Sequence, residues 1–491
     1  MTPAPSLSAI RACFEGAIPA IAATCAADGT PNVAYTSQVY YMDERHVALS
    51  FQFFNKTRQN ILANPHATVL IMDPLTAAYH RLHLRYLRTE TEGALFERMK
   101  AQLAGIASHS GMAGVFRLHG ADIYEVETIE ALDGDQLPLP VRPGLLGGVR
   151  HTAERLAACA TTDELLQAAL AALSDHLDIR HAMILMLDAA AQRLYTVGSC
   201  GYATSGVGSE LEVGHGVIGV AARERTPVRL SHVTNAAAYS HAVRSSLRRI
   251  QPGIALDTEI PYPGLTDPHS QLAVPILSTG RLLGVLFVES PQDMRFGFEE
   301  EDALFAIASH LGAALDLLQN ADESAFIEER AAAGEPFESG QAAASGHFTP
   351  PSEQSLGSGQ SAQPEQSAAP EKPAAPEKPA ASQPPIAVRH YLANHSVFLD
   401  DRYLIKGVAG AILGKLLREH TQLGRSEFSN RELRLDPALR LPDLSDNLEA
   451  RLVLLQRRLA ENCPHLGIEK TGRGRFRLRL DRPVTLQEIP A

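Results

Sequence analysis

Ser50, Gln52, Lys56, Thr57 and Arg58, within the run SFQFFNKTRQNILANP, have the types and spacing to hold a phosphorylated cofactor, the last three its anion. Lys56, Thr57 and Arg58 stand where a strand gives way to a helix. A helix start offers unpaired N–H groups and a partial positive charge, which suits a phosphate. Ser50 and Gln52 alternate on the preceding strand, so their side chains are expected on one face of it. The plainer reading makes Lys56 and Arg58 solvated charges at a helix start. A second cationic pattern closes the chain. In KTGRGRFRLR the residues Lys470, Arg473, Arg475, Arg477 and Arg479 fall largely at alternate positions, which aims them along one face of a hairpin while Phe476 and Leu478 turn inward. Just before it, Arg451, Arg457 and Arg458 lie off the helical stripe Leu448, Leu452, Leu455 and Leu459 and could reach a polyanion. The plainer reading is an arginine-rich face that keeps a small unit soluble or binds protein.

Other reactive side chains are dispersed. Cys13, Cys25, Cys159, Cys200 and Cys463 form no C-x-x-C pair, so neither a disulfide framework nor a zinc site is indicated. Cys200 in VGSCGY ends a strand and is a candidate for redox chemistry or tetrapyrrole attachment, although a lone cysteine of this kind is ordinarily inert packing. His215, His232, His241 and His269 share one region without a tight ligand spacing, and no metal site is expected. No set of residues identifies itself as catalytic.

These groups need at least two folding units to position them, since one hydrophobic core rarely serves more than about 250–300 residues and the chain has 491. From about Asn320 to Pro385 the sequence is rich in Pro, Ala, Glu and Ser, including AAPEKPAAPEKPAA, and is expected to be a disordered linker over 321–385. QLPLPVRPGLLGG marks a second boundary. The expected units are therefore residues 1–135, with short strands in a meander that suggests a barrel; 148–320, with antiparallel strands between helices in an α+β sandwich; and 386–491, with helices closed by a hairpin. The segment 244–267 is long for a connection and is a candidate lid. Net charge is −12 overall, but residues 386–491 carry 18 Lys+Arg against 13 Asp+Glu, or +5, which leaves −17 for the rest. Only the last unit is suited to a polyanion. No apolar run is long enough for a membrane helix and the first residues do not read as a leader, so a cytoplasmic protein without membrane contact is expected.

SFQFFNKTRQNILANPHATVLIMDP resembles the pyridoxamine-phosphate-oxidase-like FMN-binding split barrel over about residues 10–130. The resemblance implies an FMN whose phosphate is held at Lys56, Thr57 and Arg58, with Ser50 and Gln52 near the isoalloxazine, and a homodimer. It departs at Thr57, eight positions before Pro65, where the family often has lysine. GHGVIGVAARERTPVRLSHV followed by SQLAVPILSTGRLLGVLFVES resembles a GAF domain, which implies a sensor of a small molecule of unspecified identity. The last unit, through LLREHTQLGRSEFSNREL, LEARLVLLQRRLAENC and KTGRGRF, resembles the winged helix-turn-helix of response regulators. That implies duplex DNA as partner, with Arg451, Arg457, Arg458, Lys470, Arg473, Arg475 and Arg477 as contacts. The acidic residues Asp443, Asp446 and Glu449 leave open a degenerate winged helix used for docking.

The leading expectation is a one-component transcriptional regulator in signal transduction, coupling a small-molecule or redox signal to DNA binding. Because a flexible linker carries no torque, control is expected through docking or release of the basic unit on the acidic sensor half. The alternative is an FMN-dependent oxidoreductase with regulatory domains.

Overall fold

The computed structural model describes residues 5–15, 18–36, 38–52, 56–109, 117–139, 144–230, 260–332, 385–439 and 448–490. Much of the expected linker, the segment 231–259 with His232 and His241, and the acidic stretch 440–447 lie outside the described residues.

The N-terminal unit is one seven-stranded antiparallel sheet curled as a half-barrel. Its strands are β1 (Ala20–Cys25), β2 (Pro31–Thr36), β3 (Val39–Tyr41), β4 (His46–Phe51), β5 (His66–Met72), β6 (Tyr79–Glu90) and β7 (Gly120–Ala131), in the order β2-β1-β5-β6-β7-β4-β3. Alternation explains the curl. Val47, Leu49, Val69, Leu82, Leu84 and Tyr124 point inward and form one core with Ile10 and Phe14 of a 3-10 turn, Ser8–Phe14. Ala48, Ala121 and Ile123 point outward and are covered by Leu95, Phe96, Met99 and Leu103 of α2 (Ala94–His109). Helix α1 (Lys56–Ala63) links β4 to β5.

The middle unit follows. Helices α3 (Leu146–Ala157) and α4 (Thr162–Leu177) precede β8 (His181–Asp188) and β9 (Arg193–Cys200). Then come β10 (Glu210–Glu212), α5 (Gly216–Glu224), β11 (Val228–Leu230), β12 (Ser270–Ser278), β13 (Arg281–Ser290) and α6 (Phe298–Ala332). The antiparallel sheet runs β10-β9-β8-β13-β12-β11. Its central strands are apolar on both faces because both are covered. Ile184, Val274 and Leu286 meet α4 and α6, while Met183, Val285 and Phe287 meet α5 and Ala101 of α2. Helix α4 starts where the Thr161 side chain accepts the Glu164 N–H as an N-cap. Helix α6 runs to Ala332, past the expected start of the linker at 321.

The C-terminal unit has two sheets. One contains β14 (Ile386–Tyr391), β15 (Ser396–Leu399), β16 (Arg402–Ile405) and β20 (Val484–Ile489), with β20 parallel to β14. The other contains β17 (Glu427–Ser429), β18 (Leu466–Gly472) and β19 (Arg475–Leu480). Helices α7 (Gly407–Leu423), α8 (Asn430–Leu435) and α9 (Leu448–Asn462) lie between β16 and β18 in the chain. The β14–β20 pairing, which joins residues far apart in the unit, was not legible beforehand. Among the described residues no helix is long and apolar enough to cross a membrane.

Candidate functional site

Four placements bear on function: the α1 start, the end of the middle sheet, the outer face of α9 and the β18–β19 hairpin.

Around α1 the five candidate cofactor residues divide between the two faces of the sheet. Ser50 and Gln52 share a face, as alternation requires, and the Gln52 amide donates to Ser50 Oγ at 3.4 Å. Ser50 stands opposite Ala121, whose face is the one α2 covers, whereas Asp122 stands opposite Leu49 and points into the half-barrel. Arg58 turns to that inner side. It ion-pairs with Asp122, donates to Thr89 Oγ1 at 2.8 Å and lies over the Phe51 ring. Hydrogen bonding from Asp122 holds its guanidinium pKa above the usual value against the opposing effect of burial. Arg58 thus pairs with a buried carboxylate on the opposite side of the sheet from Ser50 and Gln52. Lys56 is exposed at the start of α1, and Thr57 Oγ1 accepts from Asn32 at 2.9 Å. Those two keep the character of an anion-binding helix start.

In the middle unit a polar row crosses one end of the sheet on the face that carries α5. Glu289 of β13 stands opposite Gln271 of β12 and His181 of β8, and the His181 ring lies 5.6 Å from that of Tyr202. Glu289 is 2% exposed. It accepts from the Leu265 N–H at 2.6 Å and from Gln271 at 3.1 Å, and among the described residues it has no Lys or Arg within ion-pair distance. Burial raises its pKa despite those hydrogen bonds. A carboxyl whose folded pKa is raised favours folding below its unfolded pKa, and that contribution is lost as pH rises through the folded value. Glu289→Gln is therefore expected to gain on the wild type in melting temperature as pH is raised from 4 to 8. Thermal melts at several pH values check this, and a pH-independent difference would refute the buried-carboxylate account. Cys200 ends β9 with its thiol pKa raised by burial, which lowers its thiolate fraction and favours inert packing. His215 pairs with Glu212, and His269 with Asp267 and Asp293, rather than with each other. Among the described residues no group of His, Cys, Asp and Glu could hold a metal ion.

Helix α9 is buried nearly all round. Leu448, Leu452, Leu455 and Leu459 face its own unit's core, as the spacing predicts. The other side, expected to be open, is covered by the middle unit. Arg451 is 4% exposed, pairs with Asp188 at 3.0 Å and lies 5.0 Å from the centre of the Tyr195 ring. Arg457 donates to the Val197 carbonyl at 2.6 Å and to Asp163 at 2.7 Å. Arg458 turns within its own unit and donates twice to the Leu404 carbonyl, at 3.1 and 3.0 Å. Lys406 adds a contact to Glu210 at 3.5 Å. Each of the three arginines expected at a groove-reading face is thus engaged by protein. The sequence pointed to none of Asp163, Asp188, Tyr195 and Gly198 as its partners, although a glycine inside the apolar strand LYTVGSC is a signal of close approach.

The hairpin follows expectation more closely. Phe476 and Leu478 are buried, while Lys470, Arg473, Arg475 and Arg477 are exposed. Acidic neighbours temper the charge, since Lys470 lies 3.5 Å from Glu449, Arg477 2.7 Å from Glu427 and Arg479 3.0 Å from Glu469. Glu449 also accepts from Asn430 at 2.6 Å, which holds it inside the unit.

Comparison with known proteins identifies two of the three units. Residues 161–315 match the GAF domain model, and residues 7–127 match the model for pyridoxamine 5'-phosphate oxidase. Similar solved structures include the GAF domain of a phosphoenolpyruvate-protein phosphotransferase from Coxiella burnetii, 21% identical, covering 39% of this chain and 96% of that one with a TM-score of 0.28. A free methionine-R-sulfoxide reductase from Neisseria meningitidis is 17% identical over 38% of this chain and 98% of its own, with a TM-score of 0.29. An FMN-binding protein from Syntrophomonas wolfei is 15% identical over 26% of this chain and 82% of its own, with a TM-score of 0.22. No curated protein matches the chain.

Proposed function

We propose that the chain is a cytoplasmic one-component regulator in which the GAF domain senses a small molecule and the C-terminal unit, acting as a winged helix, engages duplex DNA through its hairpin. The observation that carries this reading is the mounting of the C-terminal unit: α9 joins it to the GAF sheet while the cationic hairpin of β18 and β19 stays exposed. Helices α7, α8 and α9 closed by that hairpin support the winged-helix assignment. Phosphates are the chemistry that exposed arginines at alternate hairpin positions would meet. The exposed Val33 and Tyr35 on edge strand β2 favour a homodimer built through the N-terminal half-barrel.

Titrating a labelled duplex with the full chain at rising salt tests the reading. Affinity is expected to fall linearly on a log–log plot, and Arg475→Ala or Arg473→Ala to lower the slope by about 1 each. Binding that ignores salt, or no binding at all, would sink it. The spent charge of Arg58 disfavours the oxidoreductase alternative.

A further inference from the structure

We propose that α9 is not the element that reads a nucleic-acid groove but the one that couples the C-terminal unit to the GAF domain, its outer face being built for β9 and α4 of the same chain. This deepens the regulator reading by naming how the signal leaves the sensor, while the contact itself stands on its own geometry.

Three observations converge on one occupant for that face. Apolar side chains come first. Ala450, Val453 and Leu454 lie away from the stripe Leu448, Leu452, Leu455 and Leu459, yet all are buried, and they belong to one continuous cluster with Leu170 of α4 and Val197 of β9. A helix buried nearly all round is an interior helix, and a groove-reading face would be open to solvent. Charge is the second. Arg451 and Arg457, far apart from their acceptors in sequence, meet Asp188 and Asp163, and Arg457 also takes up the Val197 carbonyl. Shape is the third. Gly198 sits beneath the Arg457 guanidinium, where a Cβ would collide with Nη1. A strand glycine that admits a partner's side chain marks a fitted seat. A shift of β9 or α4 on ligand binding would therefore carry the hairpin with it, with no need for the intervening segment 333–384 to transmit force.

The test uses the full chain and the variants Gly198→Ala, Arg457→Ala and both together. In the wild-type background the added methyl must unseat Arg457 from Val197 and Asp163, and a fall of roughly 3–6 °C in melting temperature is expected. In the Arg457→Ala background the same methyl should cost less, because only the Leu170 side chain, 3.1 Å from the added carbon, is left to give way. Hydrogen exchange should rise together in α9 and β9 in Gly198→Ala. Equal effects of Gly198→Ala in both backgrounds, or exchange confined to β9, would overturn the proposal. In duplex binding, Arg457→Ala should leave the salt slope unchanged while Arg475→Ala lowers it, and a lowered slope in Arg457→Ala would overturn it as well. If no variant binds duplex, the regulator reading falls, and the melting and exchange results decide this one.

Discussion

Arg229→Ala is expected to destabilise the chain by about 3–5 kcal/mol, because it removes the cation paired with a buried carboxylate. Arg229 of β11 is 4% exposed and ion-pairs with Glu15 of the N-terminal unit, while its Nε donates to Glu301 of α6 at 2.8 Å. Glu15 is itself buried, and its other use is to accept the Phe298 N–H at 3.0 Å at the start of α6. The Phe298 ring lies between the Arg229 and Arg11 guanidiniums, at 4.5 and 4.3 Å. Removing Arg229 takes away the cation paired with Glu15 and the platform for that ring. Denaturant unfolding measures the loss. The double variant Glu15→Gln, Arg229→Met should recover most of it, since both charges are then gone; a double variant as unstable as Arg229→Ala would assign the effect to packing instead.

The second large effect is expected at Arg58→Ala, again about 3–5 kcal/mol. Its partner Asp122 has a side chain only 9% exposed and also accepts from Thr89 Oγ1 at 2.6 Å. Arg58→Lys should rescue little. One ammonium cannot reproduce a planar fork that spans Asp122 and Thr89 while lying on Phe51. Unfolding of the two variants side by side provides the check, and full rescue by lysine would mean that charge alone matters there. The same comparison bears on anion binding. A phosphate probe that depended on Arg58 would lose affinity in Arg58→Lys, whereas one held by Lys56 and Thr57 would not.

The legible parts of the molecule were those fixed by local periodicity. The GAF strands announce themselves as AMILMLD, LAVPILS and RLLGVLFVES, because strands buried on both faces must be apolar throughout. The alternation of Phe476 and Leu478 with arginines correctly placed a core face and an outer face on β19. The illegible parts were long-range. An arginine beside an apolar stripe looks the same whether phosphate or aspartate waits opposite, and the acceptor of Arg457 lies 294 positions earlier. Ser50, Gln52 and Arg58 are close in sequence and suit one cofactor, but strand register puts Asp122 of β7 on the inner face, away from Ser50, and Arg58 of α1 turns to it. Glu289 was overlooked because a single carboxyl near a strand end carries no signal until burial gives it one.

Helix α2 carries a lesson for anyone who would recombine these units. It arises inside the half-barrel, between β6 and β7, yet Ala101 on its far side is buried among Val217, Val220 and Ala221 of the neighbouring sensor, and Lys100 reaches Glu224 at 3.5 Å. Severing the chain near residue 140 would bare an oily surface on each half at once. Grafting this sensor onto another protein would thus require moving the half-barrel along with it, and the pair is best regarded as a single heritable part.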